Sequence, residues 1–219
     1  MKIRTAENLA DAIDADLIWR KKELATLKFA IGRSRTRPRL LNATLRAGVA
    51  LLYAHWEGFL KASSEFYLEF VSRQGITNLQ LADNFLALSA RKSMHDMASS
   101  SRVSQSIELV DFFRRRMDEP ADVPYKDTVK TRSNLNSDVL RDLSISVGVD
   151  YSLFATKSTL IDEKLLHKRN NVAHGQFLDM DAKDFEETFS EVTAMLETWR
   201  NELENACATK RYLANNVCP

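Results

Sequence analysis

The sequence predicts an all-α fold: an antiparallel bundle of four or more long helices with a loop-rich insertion. Three observations carry that prediction. Apolar residues recur at alternating steps of three and four along much of the 219-residue chain, which keeps them on one side of a helix. Only 6 glycines and 4 prolines are present, too few breakers for a fold of many short strands. No stretch alternates apolar and polar residues at period two, as a half-buried strand would. The length suits a single domain over residues 1–219, with 1–35 as an N-terminal helical extension.

The elements follow in order. Leu9, Ile13, Leu17, Leu24, Leu27 and Ile31 mark one face of a first helix, which Gly32 is expected to end. Residues 32–39, GRSRTRPR, set an arginine at every second position and put a helix boundary at Pro38, so they read as a basic connector. A second helix, about 40–73, carries Leu45, Val49, Leu52, Trp56, Phe59, Ser63, Phe66 and Phe70 on one side, with Gly75 just past its end. A weaker helix over 77–97 holds Leu79, Leu81, Phe85, Leu86 and Leu88, and another spans 103–117. Residues 118–136 contain Pro120, Pro124 and several turn formers, which predicts a long exposed loop. Asn136 or Ser137 then caps a short helix that ends at Val147 before Gly148. A helix over about 159–174 comes next. The last, about 182–212, repeats the spacing with Phe185, Phe189, Val192, Leu196, Trp199 and Leu203.

Composition excludes several classes of function. The 31 basic residues are balanced by 30 acidic ones, so a nucleic acid must be held by a local patch and not by the field of the whole molecule. Cys207 and Cys218 lack His or Cys neighbours at metal spacing, which implies neither a zinc site nor a disulfide framework and fits a reducing compartment. The longest nearly apolar run, AGVALLYA at 47–54, is bounded by Arg46 and His55 and falls short of the roughly 20 residues a membrane helix needs. The N-terminus lacks the apolar core of a signal peptide. The expectation is a soluble cytoplasmic protein with no membrane partner. Neither a Gly-rich phosphate loop nor a Ser-His-Asp or zinc pattern is present, so no cofactor and no metal are expected.

The chemistry-bearing residues gather in HKRNNVAHG, 167–175. Asn170 and His174 are four apart and stack on one side of a helix. Arg169 is five before His174, so its Cα points about 140° away, although a long guanidinium can bend toward the polar side. Ile161, Leu165 and Val172 are expected to form the packed stripe. An arginine, an asparagine and a histidine without carboxylates suit phosphoryl transfer within RNA. There a 2′-hydroxyl loses its proton, a phosphate gathers charge and a 5′-oxygen leaves with a proton. Histidine transfers protons near neutral pH, and the planar fork of arginine matches phosphate oxygens. Base and acid act on opposite oxygens, and one histidine cannot occupy both places. Two chains would supply two.

R-N-x-x-x-H at a helix end, followed by Gly, resembles the signature of the HEPN superfamily (higher eukaryotes and prokaryotes nucleotide-binding domains). LLYAHWEGFLK at 51–61, SNLNSDVL at 133–140 and IDEKLLHKRNNVAHG at 161–175 are similar to a prokaryotic branch of it, and the resemblance spans most of 45–200. It implies an all-helical domain whose two copies bring their motif helices together in a composite, metal-independent endoribonuclease site. The products implied are a 2′,3′-cyclic phosphate and a 5′-hydroxyl. Carried over by position, Arg169 stabilises the scissile phosphate, Asn170 orients it or the histidine, and His174 serves as acid or base. The partners implied are single-stranded RNA (mRNA or tRNA), a second copy in a homodimer, and an antitoxin or another defence-system protein. Some members have lost catalysis and only bind a nucleotide, an RNA or a partner protein, which is the alternative; the intact motif favours the active class.

Other features read as structural. His55 abuts the Leu52 and Phe59 stripe and is assigned to packing, and Glu57 with Lys61 has the spacing of a helical ion pair. The Asn and Ser residues of SNLNSDVL suit turns and caps. The arginines at 33, 35, 37, 39 and 114–116 read as solvated charge, with an RNA backbone as the functional rival. Trp56 and Trp199 belong to the core, and His95 and His167 carry no second signal.

Overall fold

The computed structural model describes residues 2–100, 102–131, 134–178 and 180–216, and among them are eight α-helices and no strand. They are α1 (Ala6–Ser34), α2 (Pro38–Ser72), α3 (Asp83–Ala98), α4 (Val103–Arg115), α5 (Ser137–Val147), α6 (Ser152–Ala155), α7 (Lys168–Ala173) and α8 (Ala182–Ala208). A π-helical stretch, Leu160–His167, leads directly into α7. Among the described residues no helix is long and apolar enough to cross a membrane.

The trunk is α1, α2 and α8, packed on one another through the stripes that the sequence displays. Leu9, Ile13, Leu17, Leu24 and Ile31 of α1 are buried against Leu45, Val49, Leu52, Trp56 and Phe59 of α2 and Phe185, Val192, Leu196, Trp199 and Leu203 of α8. Asp14 pairs with Arg200, Lys21 with Glu197 and Arg35 with Glu186. Numbers that rise along α1 while they fall along α8 make the two helices antiparallel. The three helices close on Gly48, where a Cβ would stand 2.8 Å from Ile31 Cδ1 and 2.9 Å from Phe185 Cε2. Thr5 caps α1 and Asp181 caps α8, each accepting from backbone N–H groups of the first turn.

His55 is buried in the α1–α2 seam, its Nε2 2.8 Å from a Glu23 carboxylate oxygen and its ring edge-on to Trp19 at 5.3 Å. Burial holds its pKa below the usual histidine value, against the opposing pull of Glu23. Arg20, also buried, donates to Asp16 at 2.7 Å and fills the space left by Gly58, where a Cβ would meet its Nη1 at 2.7 Å. Cys207 is a buried free thiol of α8, and Cys218 lies outside the described residues.

Several expectations are corrected. Gly32 lies inside α1, because the buried Ile31 and Ser34 carry the helix onward and the Arg35 N–H closes it on the Gly32 carbonyl. The basic connector therefore shrinks to 35–37, and Pro38 opens α2, where its missing N–H costs nothing. The third helix starts only at Asp83. Before it, Asn78 donates to the Arg116 carbonyl at 2.9 Å and accepts from Ser89, bonds that compete with helix formation. At the far end α8 stops at Ala208, since Lys210 adopts φ +53 and the Tyr212 carbonyl accepts from Ala82 N.

Residues 118–136 form a loop, as the sequence predicts, exposed at many of its described positions but pinned to the fold at four. Val123, Val129, Thr131 and Leu135 are buried, and Thr131 donates its hydroxyl to Glu57, which thereby serves this segment and not Lys61. Residues 132 and 133, including the first residue of the SNLNSDVL block, lie outside the described residues.

Candidate active site

The site grows from the segment that joins the π-helical stretch to α7. Ile161, Leu165 and Leu166 are buried, while Val172 is only partly so. A π-helix bonds i to i+5, so each residue turns through less than the about 100° of an α-helix. A stripe projected from Ile161 and Leu165 at α-helical phase therefore drifts before it reaches Val172. Regular α geometry returns at Lys168.

α7 ends in a Schellman motif. Gln176 N–H donates to the Asn171 carbonyl at 2.8 Å and Gly175 N–H to the Val172 carbonyl at 3.1 Å, with Gly175 in the left-handed region at φ +71. That is why a glycine stands directly behind His174. The His174 N–H donates to the Asn170 carbonyl at 2.9 Å, which sets the two side chains one turn apart as their spacing predicts. His174 is exposed and Asn170 half-buried, and among the described residues neither side chain spends a hydrogen bond within the chain.

Arg169 takes the other direction. Its guanidinium carbon lies 4.0 Å from the centroid of the Tyr53 ring on α2, a cation–π contact. Tyr53 is buried, and its hydroxyl accepts from Leu135 N–H at 2.7 Å. Burial is the main cause that raises the Tyr53 pKa; the Leu135 N–H, and then a hydrogen bond from Arg169 and its charge, oppose it, and Glu57 reinforces it. The phenol thus stays neutral while it joins three parts of the chain: α2, the segment before α5 and the motif helix.

Two further contacts fix this arrangement. Asp162, in the π-helical stretch, accepts from Ser137 N at 2.7 Å and Ser137 Oγ at 2.6 Å, while Asn136 caps α5 by accepting from Val139 N at 2.8 Å. The described part of SNLNSDVL is therefore bonded within the fold, as its capping composition suggests. Arg46 of α2 donates to the Gln176 carbonyl and holds the chain just beyond the motif. With Arg169 at Tyr53 and Gln176 at Arg46, α7 runs antiparallel to α2.

The structure sets Asn170 and His174 one helical turn apart and directs Arg169 to α2. The fold-building residues missed by sequence reasoning are Tyr53, Asp162 and Arg46. Tyr53 has a readable signal, since a phenol within a buried stripe requires a hydrogen-bond partner; Asp162 has none. Of the basic runs, Arg35, Arg115 and Arg116 are paired with Glu186, Asp111 and Glu119, whereas Arg37 and Arg39 are exposed at the start of α2. Among the described residues no group of three or more His, Cys, Asp or Glu side chains is placed to hold a metal ion.

The helical bundle and its glycine-stopped arginine, asparagine and histidine helix define a HEPN-type domain. The family model described as HEPN_MAE_28990-like HEPN matches residues 9–212, and the chain belongs to that family. No curated protein and no solved structure matches the chain. At the level of the superfamily this makes the chain a nuclease-related or nucleotide-binding domain.

Proposed function

We propose that this HEPN domain is a metal-independent endoribonuclease that works as a homodimer on single-stranded RNA, mRNA or tRNA, as a toxin–antitoxin or antiviral defence effector. The observation that carries the reading is His174: an exposed imidazole on a rigidly stopped helix end, one turn from Asn170. In the reaction, one histidine removes the 2′-hydroxyl proton, and the 2′-oxygen attacks the adjacent phosphorus. The bond to the 5′-oxygen breaks, and the histidine of a second copy gives that oxygen a proton. A 2′,3′-cyclic phosphate and a 5′-hydroxyl remain. Arg169, set against the Tyr53 ring, supplies fixed positive charge for the phosphate as its negative charge grows. Asn170 orients the phosphate or the imidazole.

The test is incubation of end-labelled RNA with the purified protein in chelator, beside His174→Ala. The wild type is expected to leave cyclic-phosphate ends, and the variant to slow cleavage by about 10²–10⁴-fold, the usual worth of a general acid or base. Because His174 is exposed, the melting temperature should not move. Equal cleavage by both proteins would remove His174 from the chemistry. RNA or nucleotide binding without cleavage by either would assign the chain to the non-catalytic members of the superfamily.

A further inference from the structure

We infer that Phe177 is a stacking platform for a base of the RNA, next to the bond that is cut; the inference rests on the ribonuclease reading above. Among the described residues Phe177 is the most exposed large apolar side chain, at 77%. It stands three residues beyond His174, and its backbone is held from both sides. Before it, Gln176 is fixed by its N–H to Asn171 and by Arg46 at its carbonyl. After it, Leu178 is buried at 3% and anchors the chain to the core. A side chain that could have turned inward with Leu178 is instead presented to solvent by a pinned segment.

Its surroundings select the partner. Gly175 and Gln176 beside it are exposed and not apolar, and the charged side chains of α2 lie next to this segment. Arg39, Arg46 and Tyr53 are seven residues apart in turn, which places them along one face of α2 at steps of about 10 Å. The face that carries Arg169 at Tyr53 and Gln176 at Arg46 thus continues to the exposed Arg39. A cationic row next to an exposed aromatic ring is the combination that holds single-stranded nucleic acid: phosphates on the charges, a base on the ring.

Fluorescence anisotropy with a labelled single-stranded oligoribonucleotide tests this, on the full chain carrying His174→Ala so that no cleavage interferes. Adding Phe177→Ala should raise Kd by about 5- to 150-fold, the range that one base–aromatic stack is worth. Phe177→Trp should restore binding and Phe177→Leu should not, because an aliphatic group offers no π face. Unchanged affinity in Phe177→Ala would overturn the stacking role while leaving the ribonuclease reading intact. A Phe177→Ala chain that elutes as a smaller species with unaltered RNA affinity would also overturn it and assign the ring to contact between copies. If the Phe177 chain binds no RNA at all, both readings fall.

Discussion

Replacing Tyr53 by phenylalanine tests the joint on which the motif helix rests. The substitution removes one oxygen and keeps the ring, so Leu135 N–H, which donates to that oxygen at 2.7 Å in a buried setting, loses its acceptor. An unsatisfied buried donor costs about 1–3 kcal/mol. For a chain of this size each kcal/mol moves the melting temperature by about 2–4 °C, so Tyr53→Phe should melt about 2–12 °C lower. The Arg169 ring contact at 4.0 Å survives, while its hydrogen bond to the hydroxyl is lost with the oxygen. Tyr53→Leu loses both interactions and, with a desolvated cation–π contact worth up to about 2 kcal/mol, should melt lower still. Circular dichroism gives the melting temperatures, and RNA cleavage well below the transition gives the functional half: phenylalanine should retain most of the rate and leucine should not. A Tyr53→Phe variant that melts within about 1 °C of wild type would refute the hydrogen-bond argument. Full activity in Tyr53→Leu would refute the claim that this ring positions Arg169.

The remaining predictions concern the helix end and the α1–α2 seam. A Cβ on Gly175 meets nothing within 4 Å, so Gly175→Ala pays only for its left-handed φ of +71, about 1–2 kcal/mol, and Gly175→Asn pays less; equal melting temperatures for all three would contradict the Schellman assignment. His55 is held below the ordinary histidine value, chiefly by burial. As pH falls the unfolded chain therefore takes up this proton first. The stability linked to His55 is complete above about pH 6.5 and is lost as the pH drops through the lower folded value. The neutral variant His55→Gln should accordingly flatten the decline of melting temperature between about pH 7 and 5, and parallel curves for the two proteins would argue against a neutral buried imidazole.

The long helices were legible because their stripes are long. In α1, α2 and α8 a buried or half-buried residue recurs every three or four positions for many turns, and no local accident can disguise that period. Stop signals were less dependable. Gly148 and Gly175 do adopt positive φ, yet Gly32 continues a helix because Ile31 and Ser34 on either side of it find buried places in the trunk. The buried positions within the loop at residues 118–136 were not legible because Val123, Val129 and Leu135 follow no period. What pins the loop is distant: Glu57 for Thr131 and the Tyr53 hydroxyl for Leu135. Within the motif, the Asn170 and His174 pair follows from a spacing of four alone. The destination of Arg169 does not, since Tyr53 lies far away in sequence and the preceding π-helical stretch carries no signature that distinguishes it from an α-helix.

That division within the motif helix bears on why a second copy enters the proposed reaction. The α2 side of α7 is packed, and Arg169 is committed to it through Tyr53. The end that carries His174 faces water, where an imidazole meets solvent protons and the dielectric weakens every charge interaction. A phosphate that reached one chain alone would meet one proton-transfer group in an open site. Apposing two such ends would add the second imidazole on the opposite oxygen and remove water from around the phosphate between them, the condition under which fixed charge lowers a barrier most. In the proposed reaction the exposure of His174 and the anchoring of Arg169 would be two halves of one arrangement: the arginine takes a rigid support from its own chain, and the histidine takes a face that its own chain leaves open.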